Sequence, residues 1–400
     1  IEEARAMTLP ISKEEIAKRY DFRNTRTVTI DGEDAKDLDD AVSIKRTANG
    51  YQLGVHIADV SHYVQEDSDL DKEAFARGTS VYLIDKVLPM LPKELSNNIC
   101  SLNAGEDRLA VSCVMEIDKK GEVLEYDILK SVINVDERMT YEVVNEILTS
   151  DAIEAKEGYE KLADDFLLMK ELADILKRRR TARGALDFNF PETKVIVDEK
   201  GFPIEIKPRE PGIGEMIIEE FMVKANEVVA EHLFRQEAPA LYRVHEEPEG
   251  ESFLNLNKIL GVFGHKIRQN KVEPRIFQRI LTDIKGKPEE QMISLVMLRS
   301  MKHARYAPQA LGHFGLASKY YCHFTSPIRR YPDLIVHRVL SSLLEGGLVG
   351  KKRRNLIKKM GIYGENSTIQ EMKAEEAERD LIDIKKAQYM QQFIGDKFTG

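Results

Sequence analysis

The chain is 400 residues long with a formal net charge of −9, and it is 42% apolar and 32% charged, the balance of a globular chain able to bury a sizeable core. No apolar run approaches the ~20 residues that a bilayer-spanning helix needs, and the acidic opening IEEARAMTLP has no signal-peptide core, so no membrane partner is expected. Three scattered cysteines, Cys100, Cys113 and Cys322, exclude a disulfide scaffold and a zinc cluster and point to a reducing, cytoplasmic setting.

Ser12 and Glu15 form a capping-box pattern opening a short helix that ends near Tyr20. The next stretch, TVTIDGEDAKDLDDAVSI (27–44), sets two strand-like runs, TVTI and AVSI, around a ten-residue loop carrying Asp31, Glu33, Asp34, Asp37, Asp39 and Asp40. Six carboxylates held this close repel one another strongly in a low-dielectric site. They are tolerated if fully solvated or if cations neutralise them, and the strands anchoring the loop on both sides favour the cations. All-oxygen donors suit Mg²⁺, Mn²⁺ or Ca²⁺. A calcium EF-hand fails, because the sixth position from Asp31 is Lys36 rather than Gly. Mg²⁺ with positions left for water and phosphate fits better, and two ions about 4 Å apart would serve in-line phosphoryl displacement.

Strand patterns follow at 51–64 and 81–84, separated by a charged helical segment, with His56 and His62 as packing or hydrogen-bonding residues. The prolines of 88–102 mark a turn into a short helical segment, and 109–135 reads as a long antiparallel hairpin turning at 119–121. From Thr140 the pattern becomes helical, with apolar positions from Leu162 to Leu176 at three-to-four spacing up to the basic run before Gly184. A second hairpin spans 194–207. Beyond Pro211 the chain reads as almost entirely helical, with Pro274 opening one helix and a last helix running from about Ser367 through Gln392. Strands first and helices second make an α+β fold: a mixed, largely antiparallel sheet covered by helices, with a helical C-terminal half.

The acidic balance argues at first sight against nucleic acid, but basic clusters stand at 177–180, 302–305, 329–330 and 351–354. The third lies in KYYCHFTSPIRRYPDLIVHR (319–338), where Thr325, Ser326 and Pro327 make a turn and Pro332 starts a helix behind Arg329 and Arg330. Arginines at a helix entrance suit a phosphate; a pair of surface arginines explains them equally. Tyr82, Tyr141 and Phe188 are stacking platforms or core residues, and Glu219 and Glu220 on a long helix are functional acids or a solvated face.

Taken together, TIDGEDAKDLDDAVSI, HIADVSHYV, MLPKELSNNICSL, LYRVHE, HFTSPIRRYPDL and AERDL resemble, in this order, the motifs of the RNB exoribonucleases, the ribonuclease II/R family, and most closely the catalytic region of its ribonuclease R branch. The resemblance implies a metal-dependent, processive 3′→5′ hydrolytic exoribonuclease that degrades single-stranded RNA to nucleoside 5′-monophosphates in RNA turnover and quality control. It implies Mg²⁺, as two ions with Mn²⁺ as an alternative, held by Asp31, Asp37, Asp39 and Asp40; Glu33 and Asp34 fall where the family varies. Asp37, Asp39, Arg329 and Glu378 are implied in catalysis. Tyr82, Phe188, Tyr141, Glu220, Ser326 and Arg330 are implied at the RNA, with Glu219 an alternative to Glu220 at the ribose 2′-hydroxyl.

The same resemblance implies a linker over 1–24, an RNB catalytic domain over 25–394 and the first strand of a C-terminal oligonucleotide-binding barrel over 395–400. Cold-shock barrels would precede the domain. The protein is expected to be a monomer acting on RNA 3′ ends, with ribosome association a further expectation. Among rival readings, Asp37-Leu38-Asp39-Asp40 matches the DxDD string of isoprenoid-protonating enzymes, but a chain with no Trp and 7% aromatics lacks their cavity lining. Haloacid-dehalogenase phosphatases fit badly at Ala41. An RNB-like RNA-binding protein without catalysis is the non-enzyme alternative.

Overall fold

Alternating Val, Ile and Thr in the first third of the chain build one seven-stranded sheet in the computed structural model, which describes residues 2–7, 11–150, 158–188, 190, 192–268 and 272–397. Its strands are β1 (Tyr20–Asp21), β2 (Val28–Asp31), β3 (Asp40–Arg46) and β4 (Gly50–Ala58), and then, after a separate small hairpin of β5 (Val81–Tyr82) and β6 (Val87–Leu88), β7 (Asp107–Asp118), β8 (Val123–Asn134) and β9 (Glu137–Thr140). The spatial order is β1-β8-β7-β4-β3-β2-β9. The ladder from β8 to β2 is antiparallel, and β1 and β9 add parallel edges against β8 and β2. The sheet is therefore mixed and largely antiparallel, as the residue pattern implies.

Helices Glu160–Arg183, Ile213–Arg235 and Tyr331–Leu344 bury Phe166, Leu172, Phe221, Val229, Leu334 and Val339 in one core with Val42, Val55, Ile57, Val111 and Met115 of the sheet. A second core, around Phe253, Leu260, Phe277, Ile293 and Met297, joins the helices Gly250–Val262, Pro274–Ile284 and Glu290–Ser300. Among the described residues no helix is long and apolar enough to cross a membrane.

Several boundaries differ from the sequence reading, each for a local reason. The strand expected over 51–64 stops at Ala58, because the Asp59 carboxylate accepts the His62 N–H (3.2 Å) and caps the short helix Val60–Tyr63. The C-terminal half also contains strands: β10 (Glu192–Val197) and β11 (Pro203–Arg209) form the expected hairpin, and β12 (Tyr242–Val244) pairs with β13 (Arg305–Ala307). These last two are only three residues long, too short for a period-two signal. The final helix runs over Gly350–Met390 rather than starting at Ser367, which is buried inside it. Gly364 is there for contact, not for termination: a Cβ at that position would lie 2.8 Å from the carbonyl oxygen of Tyr306 in β13. In the stretch expected as a linker, Tyr20–Asp21 joins the sheet and Arg19 is buried. Of the barrel strand expected over 395–400, residues 398–400 lie outside the described residues.

Candidate active site

The acidic loop connects the end of β2 to the start of β3 and is clamped from both sides. Leu38 is buried in the core. Its N–H donates to the Ser101 hydroxyl (3.1 Å), its carbonyl accepts from Leu102 (3.0 Å), and Ser101 donates in turn to the Lys36 carbonyl (2.9 Å). On the other side, a guanidinium nitrogen of Arg138 in β9 donates to the carbonyls of Glu33 (2.8 Å) and Ala35 (2.7 Å). The loop's direction, and with it the aim of its carboxylates, is thus fixed by backbone bonds.

Asp39 joins the two constellations. One of its oxygens accepts the Ile328 N–H at 2.8 Å across 289 positions of sequence, and the other faces Arg329 Nε at 3.6 Å. That second oxygen and Asp40 Oδ2 are buried without a hydrogen-bond partner. Burial pushes the Asp39 carboxyl well above the usual range, against the pull of Arg329 and of the Ile328 N–H. Burial also raises Asp31, with the neighbouring charges of Asp40 and Asp37 adding to it, and it raises Asp40 against Arg329 and Arg330. Asp37 is engaged differently: its Oδ2 accepts the Tyr82 hydroxyl at 2.8 Å. The Tyr82 N–H donates to Glu378 Oε1 at 2.7 Å, which ties Glu378 of the long helix to the loop. Tyr141 opens the helix Tyr141–Thr149, and burial together with the charges of Asp31 and Asp40 raises its hydroxyl.

Arg329 lies partly open, its side chain 41% exposed, with one guanidinium nitrogen on the Ser326 hydroxyl (2.9 Å). Its carbonyl accepts from the Ser80 N–H (2.9 Å) and the Thr79 hydroxyl (3.1 Å), so the segment leading to Tyr82 is fastened to the arginine.

Other expected RNA contacts are placed otherwise. Arg330 points inward, its guanidinium held by buried Asp333 at 2.8 Å, so it supplies positive charge behind Asp40 rather than a surface contact. Ser326 is buried and serves Arg329, its own N–H donating to the same Asp333 oxygen (2.8 Å). Glu220 is 2% exposed and accepts from Arg180 at 2.6 and 3.1 Å, while exposed Glu219 accepts from the same guanidinium at 2.8 Å. Phe188 stacks on Phe190, with ring centroids 6.1 Å apart, and packs against the second core. The structure therefore brings together Asp31, Asp37, Asp39, Asp40, Tyr82, Tyr141, Arg329 and Glu378, whereas Phe188 and Glu220 have their own partners. Sequence reasoning missed Arg138 and gave no role to Asp333 or to Arg180, though Asp333 was visible as an acid in the first turn of the helix Tyr331–Leu344 and Arg180 as the last residue of the basic cluster 177–180.

Among the described residues no three carboxylate, imidazole or thiolate side chains converge on one point at direct-ligand range, and Asp37 is bonded to Tyr82. The donor chemistry nevertheless suits a hard cation: all oxygen, with two buried carboxylate oxygens unpartnered and a third carboxylate beside them. Mg²⁺ keeps several waters and takes one or two protein carboxylates, so it needs no closed cage.

A family model described as the RNB domain matches residues 19–346. Over its full length the chain is 48% identical to Ribonuclease R 1 of Lactococcus lactis and 48% identical to Ribonuclease R of Thermotoga maritima, covering 49% and 57% of those proteins. Its structure matches that of Mycoplasma genitalium RNase R in complex with double-stranded RNA at a TM-score of 0.92 and 31% identity, covering 100% of this chain and 71% of that one. Yeast Ssd1, described as a pseudonuclease, matches at a TM-score of 0.76 and 22% identity, a likeness of fold alone. The chain spans about half the length of the curated relatives it matches. With the RNB model covering most of its residues, the chain belongs to the RNB family.

Proposed function

We propose that this chain is the catalytic core of a metal-dependent 3′→5′ exoribonuclease that processively hydrolyses single-stranded RNA to nucleoside 5′-monophosphates, acting in cytoplasmic RNA turnover and quality control. The observation that carries the reading is the meeting of Asp39 with Arg329 beside unpartnered carboxylate oxygens. Asp31, Asp37, Asp39 and Asp40 would hold Mg²⁺, two ions at full occupancy with Mn²⁺ able to substitute, which when bound supplies hydroxide at neutral pH and neutralises phosphate charge.

The chain's own groups do the rest. Arg329, aimed by Ser326, donates to the phosphate as negative charge builds on its oxygens. The Tyr82 ring stacks on a terminal base, and Phe188 with Phe190 offers a second platform. Tyr141 bonds the ribose 2′-hydroxyl, with the second partner drawn from the Arg180-bound pair of Glu219, which is exposed, and Glu220, which would first have to leave its buried place. Glu378 holds the Tyr82 backbone in place. The protein acts as a monomer on the 3′ end, with flanking cold-shock and C-terminal barrels adding RNA affinity and a route to the ribosome.

End-labelled RNA tests this directly. Mg²⁺ should give a mononucleotide product that EDTA abolishes, and Asp39→Asn should slow its release by about 10³-fold while RNA is still bound. Release that survives both treatments refutes the mechanism. RNA binding without any nucleotide release would favour an RNB-like RNA-binding protein without catalysis.

A further inference from the structure

Tyr82 holds a carboxylate that the proposed cation site uses. Its hydroxyl donates to Asp37 Oδ2 at 2.8 Å, while Asp39 and Asp40, nearby in the loop, each keep a buried oxygen unpartnered. The same residue is 39% exposed, and on the reading above its ring is the one on which a base would stack. It stands on a hairpin of only two residue pairs, Val81 with Leu88 and Tyr82 with Val87. That hairpin is pinned at its base, where Ser80 donates to the Arg329 carbonyl, and at Tyr82 itself, where the backbone donates to Glu378. Between backbone and hydroxyl the side chain turns about two torsions. A turn about the second torsion spins the ring around the axis through its hydroxyl and leaves the oxygen in place, whereas a turn about the first, which carries the ring toward a base, takes the oxygen with it and away from Asp37.

We infer that the Tyr82 hydroxyl is a latch on Asp37, opened when an RNA base stacks on the ring, so that RNA and divalent cation each tighten the binding of the other. The inference rests on the metal-dependent reading above and adds an order of events to it. A free carboxylate oxygen is a better ligand for a hard cation than one already bonded to a phenol, and a hydrogen bond to a charged group is worth about tenfold in an equilibrium. RNA that opens the latch thus returns that factor to the cation, and linkage requires the cation to return it to the RNA. The cation site would then be completed chiefly on enzyme already holding a 3′ end.

The test is a Mn²⁺ titration of the full 400-residue chain, followed by the electron paramagnetic resonance signal of free Mn²⁺, with and without a ribose-methylated oligonucleotide shown by gel to stay intact. For the parent protein the oligonucleotide should tighten Mn²⁺ by at least about tenfold, its phosphates adding to the latch. Tyr82→Phe keeps the ring and removes the donor; without RNA it should already bind Mn²⁺ about tenfold more tightly than the parent, and RNA should tighten it about tenfold less than it tightens the parent. Asp37→Asn should bind Mn²⁺ more weakly and show the same reduced effect of RNA. Tyr82→Phe matching the parent in the absence of RNA would overturn the latch and leave the metal reading standing. Failure of the parent to bind Mn²⁺ even with RNA would overturn both. Circular dichroism of Tyr82→Phe, a change at a partly exposed ring, confirms that the fold is kept.

Discussion

Asp39 and Asp59 lie at the same end of the sheet, where β3 begins and β4 ends, and the Asp39 carbonyl accepts the N–H of Ala58, the residue just before Asp59. Both are buried and each has one oxygen without a hydrogen bond, yet the cations that face those oxygens differ. Asp59 pairs with Arg19 at 2.8 Å, both side chains fully buried, and accepts from the Ser61 hydroxyl (2.6 Å) and the His62 N–H (3.2 Å). Arg19 is itself completed by Glu15 at 2.8 Å and by the carbonyls of Ala110 and Ser131. Burial pushes the Asp59 carboxyl up, but Arg19 and Ser61 outweigh it and hold the group below its usual range. At Asp39 burial wins, because the cation that faces it, Arg329, stands 3.6 Å away and partly in solvent. One cluster is closed by the chain itself. The other has its facing cation farther away and partly in solvent, and that difference separates a structural ion pair from a candidate catalytic centre at equal depth.

Breaking the closed cluster should give the largest effect. Asp59→Ala strands Arg19 in the core without its counter-charge and should cost about 3–5 kcal/mol in a urea titration. A loss under about 1 kcal/mol would mean that Arg19 finds solvent and that the two clusters are not distinct in kind. Arg329→Lys acts on the open cluster. It should slow nucleotide release by about 100-fold, since an ammonium cannot reproduce the fork, while the melting temperature stays unchanged. Equal loss of stability in the two variants would erase the contrast. Arg138→Met removes the two bonds to the loop carbonyls and should weaken Mn²⁺ binding by about tenfold, the usual scale for a supporting contact around a metal, with little change in stability because Arg138 is exposed.

How much of this was legible in sequence follows from the range of the interactions. The acidic loop is flanked by its own strands, and the 109–135 hairpin by its own turn, so local patterning sufficed for both. The SPIRR turn was visible as well. That Arg329 faces outward and Arg330 inward was not, since the choice is made by Asp333, three positions on, and by the burial of its helix. Glu220 was assigned without sight of Arg180, forty positions earlier and on another helix. Arg19 with Asp59, and Tyr82 with Asp37, are likewise pairs between separate elements for which no spacing rule exists. The six motifs matched to the family carried information that periodicity could not, but they gave residues without partners, and it is the partners that separate the open cluster from the closed one.

The smallest expected effect is also the finest test of the comparison. In EDTA, Asp39→Asn should be more stable than the parent, by about 1–3 °C in melting temperature if roughly 1 kcal/mol is relieved. The amide oxygen can still accept the Ile328 N–H, and the variant no longer has to bury an unneutralised charge. The dependence on pH fixes the sign. A carboxyl raised by burial keeps its proton in the folded state at pH values where the unfolded chain, titrating near pH 3.9, has released it; the folded state then binds more protons, and parent stability falls as pH rises. The advantage of Asp39→Asn should therefore be absent below about pH 4 and grow as pH rises above it. Asp59→Asn should behave in the opposite sense: a carboxyl held below its usual value stabilises above about pH 4, so that variant should be the weaker protein there and approach the parent in acid. On the proposed reading, added Mg²⁺ should cancel the gain at Asp39, where the cation would bind, and leave the loss at Asp59 untouched.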